Sequence, residues 1–202
     1  MVKWTRNRII SAFSALVAER SYEEVTVEMI IRRAEVSKTT FYRYFCDKAA
    51  VMEARFQMLY DEAVVSRDCQ SLEDLFAALL RQAREHPDQH AMFNTSGYNS
   101  YREFIYRYTY AMGKEIMEAA WGRKATDTED FHIAYFCAGG SKILEEWCRG
   151  RSFINMTAEE AARAICSMIH EPFRVQLSDL VMAHIRTRSS QQGTELDFSS
   201  FL

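Results

Sequence analysis

Nine of the 202 residues are glycine or proline, seven of one and two of the other. Sheets need frequent tight turns, and these two residues supply the backbone geometries such turns demand. A chain this poor in both favours a few long helices with few connections. Sandwiches, barrels and Gly-rich nucleotide folds are disfavoured. Apolar residues make up 48% and charged residues 26%, enough to build a sizeable core in a globular chain. That balance excludes a disordered chain, collagen and a disulfide miniprotein. The expectation is an all-α protein of one domain or two small ones.

Charge is unevenly spread behind a formal net charge of −3. Residues 1–50 hold nine Lys/Arg against six Asp/Glu, and the remainder sixteen against twenty-two. A basic end on an acidic body points to a polyanionic partner for that end. The five cysteines are odd in number and lack CxxC spacing, which fits a reducing, cytoplasmic setting. No stretch approaches the ~18–20 apolar residues of a membrane helix, so no membrane partner is expected. Lys3, Arg6 and Arg8 ahead of the uncharged run Ile9–Ala18 imitate a secretory leader. However, Ile9, Ile10, Phe13, Leu16 and Val17 recur at helical spacing with Ser11 and Ser14 between them. That is the pattern of a structural amphipathic helix.

The same periodicity and the cap residues predict helices over 4–20, 27–34, 38–45, 48–67, 71–86, 101–121, 129–149, 157–171 and 173–186. Thr26, Ser37, Asp47, Ser71 and Thr157 are the expected N-caps. Residues 88–100 read as irregular or as a short helix, and Pro172 as a break. Two short helices joined at Glu35–Val36–Ser37 have the helix-turn-helix shape. The second of them turns Phe41 and Phe45 inward and offers Lys38, Thr39, Thr40, Tyr42, Arg43 and Tyr44 outward. Lys and Arg meet phosphates or guanine edges, and Thr and Tyr hydroxyls donate to phosphate oxygens. No acidic residue stands between Val36 and Cys46 to repel such a partner.

The stretch Thr26–Met52, TVEMIIRRAEVSKTTFYRYFCDKAAVM, resembles the DNA-binding domain of the TetR-type transcriptional repressors. The order T-V, I-I, A-x-V-S-K, T-F-Y-x-Y-F and D-K carries the likeness, which covers about residues 4–55. FCAGGSKILEEWCRG, residues 136–150, is similar to the C-terminal region of a subgroup with Gly-Gly and Trp in the penultimate helix. The resemblance implies an N-terminal three-helix helix-turn-helix domain (1–47) and a C-terminal helical ligand-binding and dimerisation domain (48–186), and the Ser/Gln/Gly-rich composition of 187–202 adds a mobile tail. It implies that Thr26 and Tyr42 hold phosphates. Lys38, Thr39, Thr40, Arg43 and Tyr44 then sit in or beside the major groove of an operator. Lys48 clamps a phosphate with the N-terminal amides of its helix. Family members usually have Gly where this chain has Glu35, so the turn must take left-handed geometry on a non-Gly residue with its carboxylate aimed away from DNA.

The resemblance also implies a homodimer and a small-molecule effector. Two heads must reach successive major grooves roughly 34–36 Å apart. The last two long helices, packed as a four-helix bundle with their mates, offer Gly139, Ile143, Trp147 and Ile165, with Tyr135 and Met168 among the further candidates. The Gly139–Gly140 pair either admits a partner helix or eases packing within the subunit. The apolar stripe Tyr101, Phe104, Tyr108 and Met112 either lines the effector pocket or is an ordinary core face. Two close pairs, His86 with His90 and Cys166 with His170, supply two ligands each, so no metal site is assigned. GxSxG, P-loop, HExxH and dinucleotide motifs are missing. No catalytic residue, enzyme activity or cofactor is expected. The function expected is that of a repressor released from its operator by an effector. The alternative is a dimeric regulator that acts through a partner protein without touching DNA.

Overall fold

The computed structural model describes residues 2–66, 69–95, 97, 100–150, 153, 155–169 and 178–183. Among these there is no strand. The helices are α1 (Val2–Glu19), α2 (Val27–Arg33), α3 (Lys38–Tyr44), α4 (Lys48–Ser66), α5 (Leu72–Glu85), α6 (Pro87–Met92), α7 (Tyr101–Trp121), α8 (Asp127–Arg149) and α9 (Ala158–Ser167). Residues 178–183, inside the helix expected over 173–186, are also helical. Pro172, His170 and the tail 187–202 lie outside the described residues.

Side-chain caps place most of the starts. Thr26 accepts from the Met29 amide at 3.2 Å, Ser37 from Thr40 at 3.0 Å and Asp47 from Ala50 at 2.8 Å. Each satisfies an amide that has no partner within its helix. α8 starts at Asp127, two residues earlier than periodicity alone places it, because Thr126 and Glu129 close a capping box. The uncertain stretch after residue 86 resolves into α6, with Pro87 in the first turn, where its missing N–H costs nothing. Gly122 and Gly150 end α7 and α8 at φ 62° and 60°, the left-handed conformation that glycine adopts without strain.

α1 is the hub. It packs against α2 in the head and against α4 and α6 behind it. Ile9, Ile10, Phe13, Leu16 and Val17 are all buried, as the spacing predicts. They join Ile30, Phe41 and Phe45 of the head to Val51 and Met52 of α4, Tyr101 of α7 and Trp147 of α8 in one apolar cluster. Packing is therefore continuous across residue 47. A second cluster unites Tyr60, Leu72, Leu75, Ile116, Cys166 and Ile169 below it.

One polar knot ties these helices together. The Arg55 guanidinium on α4 donates to the Asp88 carboxylate on α6 at 2.8 Å, and Ser14 on α1 donates to the same carboxylate. The Arg55–Asp88 pair is nearly enclosed, with side chains 10% and 6% exposed. A buried carboxylate is tolerated only when paired and hydrogen-bonded, and Asp88 is both.

Candidate nucleic-acid interface

The turn before α3 does what its unusual residue requires. Glu35 takes φ 51° without a glycine. Its carboxylate swings back to α1, where the Arg8 guanidinium donates to it at 3.1 Å. Val36 is half-buried against the apolar cluster, and Phe41 and Phe45 anchor α3 beneath. The result is a seven-residue helix whose inner face is fixed and whose outer face is bare.

That outer face holds Lys38, Thr39, Tyr42 and Arg43, all exposed. Among the described residues neither Lys38 nor Arg43 has an acidic partner. Thr40 is half-buried, and its hydroxyl lies 2.8 Å from that of Ser37. Tyr44 was expected to point outward but is half-buried against the cluster, with the Arg43 guanidinium 5.2 Å above its ring. The i, i+3 relation to Phe41 draws it inward, a pull that counting exposed positions overlooks. Thr26 is exposed. Its oxygen caps α2, which leaves the hydroxyl proton for an acceptor outside the protein.

Lys48 departs most from its expected role. Its ammonium donates to the backbone carbonyls of Tyr22 at 2.8 Å, Val25 at 2.9 Å and Glu23 at 3.4 Å, and lies 4.3 Å from the Tyr22 ring centre. An ammonium has three donors, and all three are engaged. Burial lowers its pKa, with the Glu23 charge acting against that. Burial, then the charges of Asp47 and Glu23, push the Tyr22 phenol up to about 12. Lys48 thus binds the 22–25 turn to α4. The acceptors lie 23–26 residues away, beyond the reach of any local motif.

The body's candidates divide in the same way. Trp147, expected at a partner's surface, is 1% exposed and sits in the subunit core. Its indole N–H donates to the Leu80 carbonyl at 2.8 Å, and Arg84 stacks 3.6 Å over its ring. α8 turns this end toward α5, which removes Trp147 from any outer face. Ile143 and Ile165 are half-buried, and Gly139 is exposed. A Cβ added at Gly139 or Gly140 meets nothing within 4 Å, so the pair does not ease packing inside the subunit. The same side of α8 exposes Phe131 by 66% and Tyr135 by 75%, with stacked rings, and Met168 beyond α9 is also exposed. On α7, Tyr101, Phe104 and Tyr108 are buried, and their rings meet Phe56 edge-on at 5.4–6.0 Å. They fill space rather than line it. Met112 is half-buried where the two clusters meet. Grooves of about 360 and 410 Å³ open instead along α1.

Arg8 and the Arg55–Asp88 knot escaped the sequence reading. The signal for Arg8 was present: an acid at a glycine position needs a counter-charge, and the start of α1 is rich in cations. Among the described residues no three His, Cys, Asp or Glu side chains converge as metal ligands, and no helix is long and apolar enough to cross a membrane.

Comparison with known proteins agrees with this geometry. Residues 9–54 match the family described as bacterial regulatory proteins, tetR family. The HTH-type transcriptional regulator YdeS of Bacillus subtilis (strain 168) is 35% identical over 81 residues, 40% of this chain. The match spans about 41% of that relative's length. Among solved structures, a TetR transcriptional regulator from Streptococcus agalactiae 2603V superposes with TM-score 0.58 at 20% identity, covering 84% of this chain and 95% of that one. The dihydroxyacetone kinase operon activator DhaS gives 0.55 at 18%, over 85% and 97%. RolR, solved with resorcinol bound, gives 0.52 at 17%, over 87% and 94%. These likenesses establish the fold over about 85% of the chain, and its residues 9–54 match the N-terminal domain of the bacterial regulatory proteins of the tetR family.

Proposed function

We propose that this regulator is a cytoplasmic homodimer that binds a partly palindromic operator through α3 and leaves it when a small-molecule effector occupies the helical body. The observation that carries the reading is the bare face of α3, cationic and hydroxyl-bearing, set on a buried Phe41–Phe45 base. In it, Lys38, Thr39 and Arg43 enter or flank the major groove with Thr40 and Tyr44 at its edge, and Thr26 and Tyr42 hold phosphates. Lys48 contributes charge and the rigidity of the 22–25 turn. Binding of the purified dimer to DNA from its neighbouring promoter, followed by fluorescence anisotropy, tests the reading. With about 6–10 phosphate contacts, affinity falls by ~10³–10⁵ between 50 and 200 mM salt. No salt-sensitive binding with or without a candidate effector would sink it and favour action through a partner protein. DhaS is described as an activator, so the sign of regulation is tested separately, by transcription from that promoter.

Arg43→Ala is expected to cost about 1–3 kcal/mol of discrimination between operator and random DNA. Competition binding with both DNAs measures this. An equal loss on both would assign Arg43 to phosphate instead.

For the dimer, the exposed Phe131, Tyr135 and Gly139 of α8 with Met168 beyond α9 support a bundle with a second copy, flanked by Ile143 and Ile165. Gly139→Glu puts a charge where a partner helix approaches, and the isolated subunit has room for it. Light scattering should show a monomer whose melting is little changed. Operator affinity should fall about 10²-fold or more, since one head loses the second as a tethered neighbour. A Gly139→Glu protein that stays dimeric would move the interface elsewhere.

The effector site proposed is the α7 stripe. Tyr108 and Met112, backed by Phe104 and Tyr101, stand between the two apolar clusters, and their rings must part to admit a planar or apolar ligand. Release follows only if the ligand prefers the parted state, and α4 is the lever that carries this change to the head.

A further inference from the structure

We infer that Arg8 is a positioning residue for the proposed DNA contact: it retains and neutralises the Glu35 carboxylate, so that an acidic turn can precede a DNA-reading helix. The inference rests on the DNA-binding reading of α3. Glu35 occupies a left-handed position one residue from the half-buried Val36 and two from Ser37, the cap of α3. Its side chain is 83% exposed, so no burial dictates where the carboxylate points. Among the described residues the one charged partner it meets is Arg8, at 3.1 Å, reached from α1 across 27 residues. Arg8 is itself held from the other side, its guanidinium lying 4.6 Å over the Trp4 ring. Trp4, Arg8 and Glu35 thus form a short stack along the edge of the head.

An unpaired carboxylate at this edge would sit within a Debye length, about 8–10 Å, of phosphates contacted by the cap and first turn of α3. There it would repel them. Held by Arg8, it stays on the α1 side of the turn; released, this otherwise exposed side chain is free to swing toward the phosphates. A glycine at this position would need no such guard. The pairing therefore predicts coupling: Arg8 matters for DNA only while Glu35 is present. A direct phosphate contact by Arg8 predicts the opposite, a loss independent of residue 35.

The test is a double-mutant cycle on operator affinity by fluorescence anisotropy at 100 mM salt, with the full-length dimer. Arg8→Gln is expected to weaken binding about tenfold in the natural turn and less than about twofold beside Glu35→Gly, with the coupling fading as salt rises. Melting temperatures should change little, because exposed ion pairs contribute little to stability. If Arg8→Gln melts early, Arg8→Met takes its place, since its unbranched stem still covers Trp4. An equal loss in both backgrounds, or no loss in either, overturns the inference while leaving the DNA-binding reading intact. Failure of the unaltered dimer to bind DNA at any salt overturns both.

Discussion

Arg55→Ala is expected to lower the stability of the subunit by about 3–5 kcal/mol, because it leaves the Asp88 carboxylate buried without its counter-charge. For a chain of this length that is a fall in melting temperature of roughly 6–20 °C, measured by circular dichroism at fixed protein concentration. The double variant Arg55→Met with Asp88→Leu should recover most of the loss, since two apolar side chains can replace a buried ion pair at little cost. A melting temperature within about 2 °C of the unaltered protein would show that the knot does not bind α1, α4 and α6 together. The same pair sets an acid limit. Burial pushes the Asp88 carboxyl up, but the hydrogen bonds of Arg55 and Ser14 and the charges of Arg55 and His86 outweigh it. Its pKa therefore lies below the ordinary 3.8. A carboxylate with a depressed folded pKa contributes stability that is complete above its unfolded pKa and is lost as pH falls through the folded one. The Asp88 contribution is thus intact from about pH 5 upward and disappears below about pH 4. Arg55→Ala should shift the acid-unfolding midpoint upward.

Trp147→Ala is expected to cost a further-reaching loss, about 3–5 kcal/mol from the cavity alone. The Leu80 carbonyl would also lose its donor and Arg84 its ring. The distinguishing measurement is the concentration dependence of melting. A core residue lowers stability alike at every protein concentration, whereas an interface residue lowers it through dissociation. If Trp147→Ala leaves the subunit folded and only weakens the dimer, the assignment of this side chain to the core is wrong. Set beside Gly139→Glu, the two variants separate the inner and outer sides of a single helix.

What was legible beforehand was local. The caps at Thr26, Ser37, Asp47 and Thr157 involve partners three residues away, and the apolar spacing of α1 repeats within one turn. A helix-turn-helix is built almost wholly from such terms, so its elements and the inward pair Phe41 and Phe45 follow from the residue order. The left-handed Glu35 was foreseen only through the family resemblance, whose members usually have Gly at that place.

The rest depended on contacts between residues far apart in the chain. Lys48 bends to the carbonyls of Tyr22–Val25, Arg8 to Glu35, and Arg55 to Asp88, at separations of 23–33 residues. α8 carries large apolar groups on more than one side, so its sequence does not say whether Phe131 and Tyr135 or Trp147 faces the core. The amino-acid order determined the helices, their caps and the bare cationic face of α3, since these arise from hydrogen bonds and periodicity within a few residues. Tertiary structure alone decided how each helix is rotated about its axis and which distant charge answers which, because only the packed neighbours set those energies.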